Sequence, residues 1–204
     1  ELAPADARLI VEIDQLAGRR GEDSAARLTR IAESVCGYDS RDDLTISYLN
    51  LLVDVGQEAR ALEILKARSF QPFEGGEGSV IAVWDRAHNA AAASGLKTLG
   101  ADLSALAQEL ADTITVPINL GEGRHPQASL AGRYYWLGLV QEQAGNAEGA
   151  QASFEQAAAN WQSMDADFET HWSIKALTRL GRADQAQQLT AKFTEAVAVL
   201  EGSD

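Results

Sequence analysis

Apolar residues recur three and four positions apart along most of the chain, which is the spacing of one buried face of an α-helix. Clear examples are the series Leu130, Tyr134, Leu137 and the series Ala186, Leu189, Phe193, Val197. No run of four or more residues alternates between apolar and polar side chains as a half-buried strand requires. The pattern therefore predicts an all-α protein.

Helix-forming and helix-breaking residues are unevenly distributed. The chain has 36 alanines and only four prolines, and alanine is the residue with the highest helix propensity. Apart from Pro4, the prolines fall in two stretches without helical periodicity, at about 69–78 and 115–127. We expect these stretches to form two long loops between helices.

A glycine followed five residues later by an alanine occurs at Gly21, Gly56, Gly100, Gly145 and Gly181. Successive glycines are 35, 44, 45 and 36 residues apart, and two of these intervals match a helix-turn-helix repeat of about 34 residues. The two longer intervals contain the two predicted loops. We expect each glycine to end a helix in the left-handed conformation, and each alanine to allow close packing of the paired helices.

The unit from Leu130 to Trp161 resembles the tetratricopeptide repeat (TPR). The matching positions are Tyr134, Leu137 and Gly138 on the first helix, Gly145 in the turn, and Ala150, Phe154 and Ala157 on the second helix. The resemblance implies a right-handed superhelix of about five antiparallel helix pairs with a concave groove. It also implies that residues 1–204 form a single repeat domain with two long inter-repeat loops.

A narrower resemblance covers roughly Arg41 to Trp161. It is carried by Arg41-Asp42-Asp43-Leu44, by the loop motif from Arg68 to Gly78 that ends in Glu-Gly-Gly-Glu-Gly, by Pro117-Ile118-Asn119-Leu120-Gly121-Glu122-Gly123, and by Tyr134-Tyr135-Trp136-Leu137-Gly138. These motifs are similar to the C-terminal repeat region of large, mostly uncharacterised bacterial proteins, in which a carbohydrate-associated domain of unknown function precedes the repeats. The resemblance implies an accessory region and supplies no catalytic residues, and the chain departs from the pattern at Gln71 and Phe73.

Two glutamate-glycine motifs occur, Gly76-Glu77-Gly78 and Gly121-Glu122-Gly123, and they lie 45 residues apart. We therefore expect them in neighbouring loops on one edge of the repeat array. One interpretation is structural, in which Glu77 and Glu122 cap helices by meeting the positive end of the helix dipole. The alternative is a polar pocket formed by Glu74, Glu77, Arg86, Glu122, Arg124 and His125. Two carboxylates about 5–9 Å apart in such a pocket could hydrolyse a glycosidic bond.

The repeat register also predicts a binding surface on the concave face. The positions that it selects are Ile46, Asn50, Ala90, Tyr135, Leu139, His171 and Lys175. They retain only part of the Lys and Asn pattern with which such repeats hold a peptide carboxylate. The four tryptophans fall in predicted helices, where they are expected mainly to pack, with one or two available to line a groove.

Charge and motif content exclude several classes of function. Thirty Asp and Glu against seventeen Lys and Arg give a net charge of −13, whereas nucleic-acid binding needs clustered cations and an anionic membrane would repel the chain. No apolar run approaches the ~20 residues of a membrane span. The histidines have no metal-ligand spacing, and no nucleotide-binding or hydrolase motif occurs, so we expect no cofactor, no metal and no enzyme activity.

The sequence therefore predicts a non-catalytic scaffold or protein-interaction module, with the carbohydrate site as the alternative. The partner is expected to be an upstream domain of the same polypeptide or another subunit, with carbohydrate as a further possibility. The single Cys36 excludes an internal disulfide and favours a reducing, cytoplasmic compartment. Because the chain begins with Glu1, we expect it to be an excised segment of a longer protein or a processed one.

Overall fold

The computed structural model describes residues 6–71, 73–126, 128–159, 161, 167 and 169–201. Pro4, Pro72 and Gln127 lie outside these ranges. The described residues form ten α-helices and no strand, so the all-α prediction is confirmed. The helices are α1 (Ala7–Arg19), α2 (Ser24–Ala32), α3 (Asp42–Asp54), α4 (Glu58–Ala67), α5 (Ser79–Gly95), α6 (Leu103–Asp112), α7 (Ala131–Gln143), α8 (Ala147–Ala157), α9 (Thr170–Arg179) and α10 (Ala183–Glu201). A short 3-10 helix, Ile118–Leu120, lies between α6 and α7.

The repeated glycines adopt the predicted conformation. All five have φ between 71° and 84°, the left-handed region that favours glycine. At four of them the amide of the next residue donates to the carbonyl five positions back, over 2.8–3.0 Å, which is the hydrogen bond of a Schellman cap. These four are Gly21, Gly56, Gly145 and Gly181.

The third junction differs from the prediction. Helix α5 ends at Gly95, five residues before Gly100, so Gly100 lies in a turn and does not end the helix. A Cβ atom at Gly95 would lie 2.4 Å from the side chain of Leu106 on α6. A larger residue at this position would therefore require the end of the Leu106 side chain to move.

The chain divides into two compact units, and the prediction that residues 1–204 form a single repeat domain stays a prediction. Unit 1 comprises Glu1–Ala91 and Val116–His125, and unit 2 comprises Ala92–Thr115 and Pro126–Asp204. The second predicted loop is therefore divided. Its residues 116–125 belong to unit 1, although the helices that flank them, α6 and α7, belong to unit 2.

In unit 1, helix α3 packs against α1, α2 and α4. One apolar core joins α1, α2 and α3 around Ile31 and Leu44. A second core joins α3 and α4 to the beginning of α5. This second core also contains Phe70 from the first loop and Leu120 from the second, so both loops contribute apolar side chains to the interior of unit 1.

In unit 2, helix α9 packs against α7, α8 and α10, and α6 packs against α7. The residues that carry the TPR resemblance lie at the contact between α7 and α8. A Cβ atom at Gly138 would lie 2.6 Å from the ring of Phe154, and Ala150 and Ala157 are buried beside that ring. Gly138 on α7 therefore accommodates the large ring of Phe154 on α8, as the sequence pattern predicts.

Asp43, in the first turn of α3, provides a test of pH dependence. Its carboxylate accepts hydrogen bonds from Arg41 Nε at 3.0 Å and Nη2 at 2.8 Å and from the amide of Leu44. The ion pair with Arg41 and the bond from the Leu44 amide hold the pKa of Asp43 below its ordinary value. Because the unfolded pKa is about 3.9, the carboxylate stabilises the fold above that pH, and this contribution is lost as pH falls through the folded pKa.

We expect Asp43→Asn to lower the free energy of unfolding by up to about 1 kcal/mol near pH 7, since Arg41 is half-exposed and such pairs contribute little. The difference in the free energy of unfolding between Asp43→Asn and the unchanged chain should shrink below about pH 4. Urea unfolding at a series of pH values measures this difference. The exposed residue Glu33, changed to Gln, is the control, and a difference for Asp43→Asn that stays constant from neutral to acidic pH contradicts the assignment.

Candidate functional site

The first loop is anchored to the start of α3 by Asp42. One oxygen of this carboxylate accepts from Arg68 Nη2 at 2.7 Å, and the other accepts from the amide of Gln71 at 2.8 Å. Arg68 also donates to the carbonyl of Asp39 at 3.0 Å. The side chain of Phe70 is then directed into the core of unit 1. Asp42 thus fixes the path of the chain immediately after α4.

Residues 116–125, which we call the strap, lie against this first loop. The amide of Phe70 donates to the carbonyl of Asn119 at 2.8 Å. The Asn119 side-chain amide donates to the carbonyls of Leu65 at 2.8 Å and Arg68 at 2.7 Å. Those carbonyls belong to the C-terminal end of α4, where the helix itself supplies no donor. Asn119 therefore caps α4 from 51 to 54 residues away in sequence.

Glu122 performs the same function at the beginning of α5. Both of its carboxylate oxygens lie 3.0 Å from the amide nitrogen of Gly78, the residue that precedes α5. A carboxylate at this point is stabilised by the unpaired amides and by the positive end of the helix dipole. Arg124 then forms a two-bond ion pair with Asp85, with Nη2 to Oδ1 at 2.8 Å, and both side chains are mostly buried.

The expectation that the two loops lie together is therefore confirmed. The structural interpretation has Glu77 and Glu122 cap the helices that follow them, and the observed capping differs from this. Glu122 caps α5, which follows the other loop, because its own next helix begins nine residues later at Ala131. Glu77 is exposed. Unit 2 contains a parallel case, in which Glu169 accepts from the amide of Gly132 at 2.7 Å in the first turn of α7.

The remaining loop candidates do not converge on a pocket. Glu74 and His125 are exposed. Arg86 contacts α3, where it donates to Asn50 Oδ1 at 3.0 Å and forms an ion pair with Asp54. The cavity between the two loops has a volume of about 10 Å³, which is close to the volume that one water molecule needs. A sugar ring does not fit there, and the carbohydrate alternative gains no support from this geometry.

The predicted concave positions of unit 1 are largely covered. Ile46 is 8% exposed and lines the small cavity together with Phe70, Phe73 and Leu120. Ala90 is half-buried against the same core. Asn50 donates back to the carbonyl of Ile46 at 3.1 Å and accepts from Arg86. In unit 1 the two loops therefore cover Ile46, and Arg86 of α5 occupies the hydrogen-bonding group of Asn50.

In unit 2 the corresponding positions form a half-exposed aromatic cluster on α7 and α9. The ring centroids of Tyr135 and Trp172 lie 5.3 Å apart, and those of Trp136 and Trp172 lie 5.5 Å apart in an edge-to-face arrangement. The His171 ring lies 4.0 Å from that of Trp172. We call the surface formed by Tyr135, Trp136, Leu139, His171, Trp172 and Lys175 the aromatic face.

Lys175 supplies the charge of the aromatic face. Its ammonium nitrogen lies 4.5 Å from the centroid of Trp172 and 5.9 Å from that of Tyr135, within the range of cation–π attraction. Lys175 is exposed, whereas Tyr135 is buried and Trp136, Leu139 and Trp172 are half-buried. The surface thus combines apolar ring area with an accessible cation, a composition typical of interaction sites.

The predicted concave residues did not include Trp136 and Trp172. The repeat register does not select them, because each follows a selected residue, Tyr135 or His171, by one position. Only the packing of α9 against α7 brings the two tryptophan rings together. Gly132 is part of the same arrangement, since a Cβ atom there would lie 3.0 Å from the Trp172 indole. Its missing side chain lets the indole lie directly against α7.

Within the described ranges, no group of three or more His, Cys, Asp or Glu side chains is arranged to hold a metal ion. None of the helices in the described part of the chain combines the length and apolarity that crossing a membrane requires. Cys36 is a free, half-buried thiol. No family model matches the chain, and no solved structure matches it at a significant level.

Changing Asn119 to alanine tests the cap on α4. The variant loses two hydrogen bonds to the carbonyls of Leu65 and Arg68, and we expect the free energy of unfolding to fall by about 1–3 kcal/mol. Asn119→Asp is the isosteric comparison. It should be at least as damaging, because a carboxylate cannot donate to a carbonyl. Denaturant unfolding measures both, and wild-type stability in both variants contradicts the capping role.

Proposed function

We propose that this chain is a non-catalytic helical-repeat module whose aromatic face binds a partner protein. In this proposal the five helix pairs stack as a TPR-like right-handed superhelix, and α7 and α9 supply consecutive first helices. The packing of α9 against both α7 and α8 supports this, as does that of α3 against both α1 and α2. At these two places the first helix of a pair contacts both helices of the preceding pair, as stacked repeats require.

The observation that carries the proposal is the contrast between the two units. In unit 1 the loops cover the predicted position Ile46, and the side chain of Arg86 contacts Asn50. In unit 2 the predicted positions include the half-buried His171 and the exposed Lys175, and the half-buried rings of Trp136 and Trp172 lie beside them. Aromatic side chains are enriched among the residues that dominate binding energies at protein interfaces. The proposal includes a cytoplasmic location, which is consistent with the single thiol.

Lys175→Glu is the variant that tests the proposal. Alanine at Tyr135 is less informative, since that ring is buried and its loss disturbs the core. The charge reversal changes an exposed side chain and should alter the thermal midpoint of the chain only slightly. Affinity isolation from a cell lysate, with quantification of every co-isolated protein, should show at least one whose recovery falls about tenfold, the effect of losing a central contact.

Lys97→Glu is the matched control, because Lys97 is an exposed lysine of unit 2 outside the aromatic face. It makes the same change in net charge as Lys175→Glu. Equal recovery of every protein with the two variants would remove the basis for assigning partner binding to the aromatic face.

A further inference from the structure

Helix α1 has a second apolar stripe on the side away from its buried face. Its buried positions are Ala7, Val11, Asp14 and Ala17. At 3.6 residues per turn, four other residues lie together on the far side, and we call them the outer stripe: Leu9, Ile13, Leu16 and Arg20. Ile13 is 38% exposed and Leu16 is 57% exposed, although both are large apolar side chains. A helix that is apolar on both sides is ordinarily covered on both.

The outer stripe borders an open groove of about 590 Å³, whose lining also includes Ala17 and Arg30 of α2. A groove of this volume is large enough to receive several side chains of a partner. Arg30 forms an ion pair with Glu22. The guanidinium of Arg20, in contrast, is exposed and has no ion-pair partner among the residues that the structure describes. The surface therefore combines apolar area with one unpaired cation at its end.

The charges of α1 match those of a second α1 that runs in the opposite direction. The exposed carboxylate of Asp6 lies at one end of the helix and the exposed Arg20 at the other, so two antiparallel copies bring opposite charges together at both ends. Residues 6–20 carry three acidic and three basic residues, so this segment is neutral within a chain of net charge −13. Repulsion between two copies is therefore weak at this helix.

We propose that the outer stripe is a self-association surface, on which α1 of a second copy packs antiparallel around a two-fold axis through Ile13. Positions whose numbers sum to 26 then lie opposite each other. Leu9 of one copy faces the small Ala17 in the groove of the other, and Arg20 meets Asp6. A two-fold contact closes on itself, so the product is a dimer. The dimer is independent of the proposed partner binding, since no residue of the aromatic face takes part in it.

The small size of this contact makes the dimer reversible. One helix face on each copy buries less area than the roughly 1,200–2,000 Å² of a stable complex. The other side of α1 already packs into the apolar core around Ile31 and Leu44, so the fold of one copy does not require the second. We therefore expect the fraction of dimer to rise with protein concentration, as in a weak association between folded chains.

Sedimentation equilibrium of the full chain, over a series of protein concentrations, measures the association. We expect the average mass to rise from the monomer value of 21.8 kDa towards twice that value and to go no further. A mass that stays at the monomer value up to about 1 mM protein overturns the proposal. A mass that rises beyond the dimer also overturns it, because a contact between two different surfaces is the kind that continues into longer assemblies.

Leu16→Glu tests whether the outer stripe carries the association. The variant places a charge within the apolar contact, and we expect the dissociation constant of the dimer to rise at least about tenfold. Because Leu16 is exposed, the thermal midpoint should change little. Leu99→Glu is the matched control, since Leu99 is a fully exposed leucine of unit 2 and the change in net charge is the same. Equal weakening of the dimer by both variants overturns the assignment to α1.

Cysteine substitutions test the antiparallel arrangement, in a Cys36→Ser background that removes the native thiol. Ile13→Cys should give a disulfide-linked dimer with oxidised glutathione, because position 13 meets its own copy on the axis. Leu16→Cys should not, since two copies of position 16 lie about 9 Å apart along the helices, too far for a disulfide. Non-reducing electrophoresis detects the products. Cross-linking of both variants indicates parallel helices and cross-linking of neither indicates another surface, and either result overturns the proposal.

Discussion

Arg27→Ala is expected to lower the free energy of unfolding by about 3–5 kcal/mol. Asp14 is only 3% exposed and lies on the buried face of α1. Its two carboxylate oxygens accept from Arg27 Nε at 2.9 Å and Nη2 at 2.8 Å, and this pairing raises the pKa of Arg27. Removing the guanidinium leaves the carboxylate buried without its partner, which is far more costly than losing an exposed ion pair.

Matched variants separate this effect from a general loss of charge. Arg8 pairs with Glu12 on the same helix, but both side chains are more than half exposed, so Arg8→Ala should change stability by at most about 1 kcal/mol. Replacing Asp14 by Leu and Arg27 by Met together should recover most of the loss, since the buried charge is then removed. Denaturant unfolding measures all three. A similar stability loss for the Arg8 and Arg27 variants would show that Asp14 is hydrated.

Of the two residues in the buried ion pair, only Asp14 can be identified from the sequence. Asp14 interrupts the apolar series Ala7, Val11, Ala17 of α1, and a carboxylate in such a series indicates a buried partner. Nothing in the sequence identifies that partner as Arg27. The guanidinium lies over Gly18, where a Cβ atom would be 3.0 Å away. Only the packing of α2 on α1 brings these groups together.

The repeat glycines were predictable because their conformation is local. A left-handed residue at a helix end depends on a few neighbouring positions, so Gly21, Gly56, Gly145 and Gly181 could be predicted from spacing alone. Glu122 shows the limit of such reasoning. Its acceptor role at α5 depends on a contact 44 residues away, and the sequence suggested a cap on an adjacent helix. A helix cap supplied from a distant part of the chain does not recur at a fixed spacing, so spacing in the sequence cannot predict it.

The repeat register selects candidate binding positions but does not predict how accessible each one is. The same repeat position selects Ile46 in α3 and Tyr135 in α7. The loops cover Ile46, whereas the surroundings of Tyr135 include the half-exposed rings of Trp136 and Trp172. A repeat register states which side of a helix faces the groove. The path of an inserted loop decides whether that side remains available for a partner.

Leu120→Ala is expected to be the second strongly destabilising change, lowering the free energy of unfolding by about 2–5 kcal/mol. Leu120 is 1% exposed in the core formed by α3, α4 and α5. It also borders the small existing cavity of about 10 Å³. Truncation therefore enlarges this void, which the surroundings close only in part, and it removes the apolar side chain with which the strap enters that core.

Ile118→Ala is the control for this prediction, because Ile118 lies two residues away in the same 3-10 helix and is 98% exposed. The substitution removes a side chain that is already in contact with solvent, so its effect should stay within about 0.5 kcal/mol. Denaturant unfolding of both variants gives the comparison. If the two variants lose the same stability, the strap is not packed into unit 1. If only Leu120→Ala loses stability, the strap contributes to the folding of unit 1 from a distant part of the sequence.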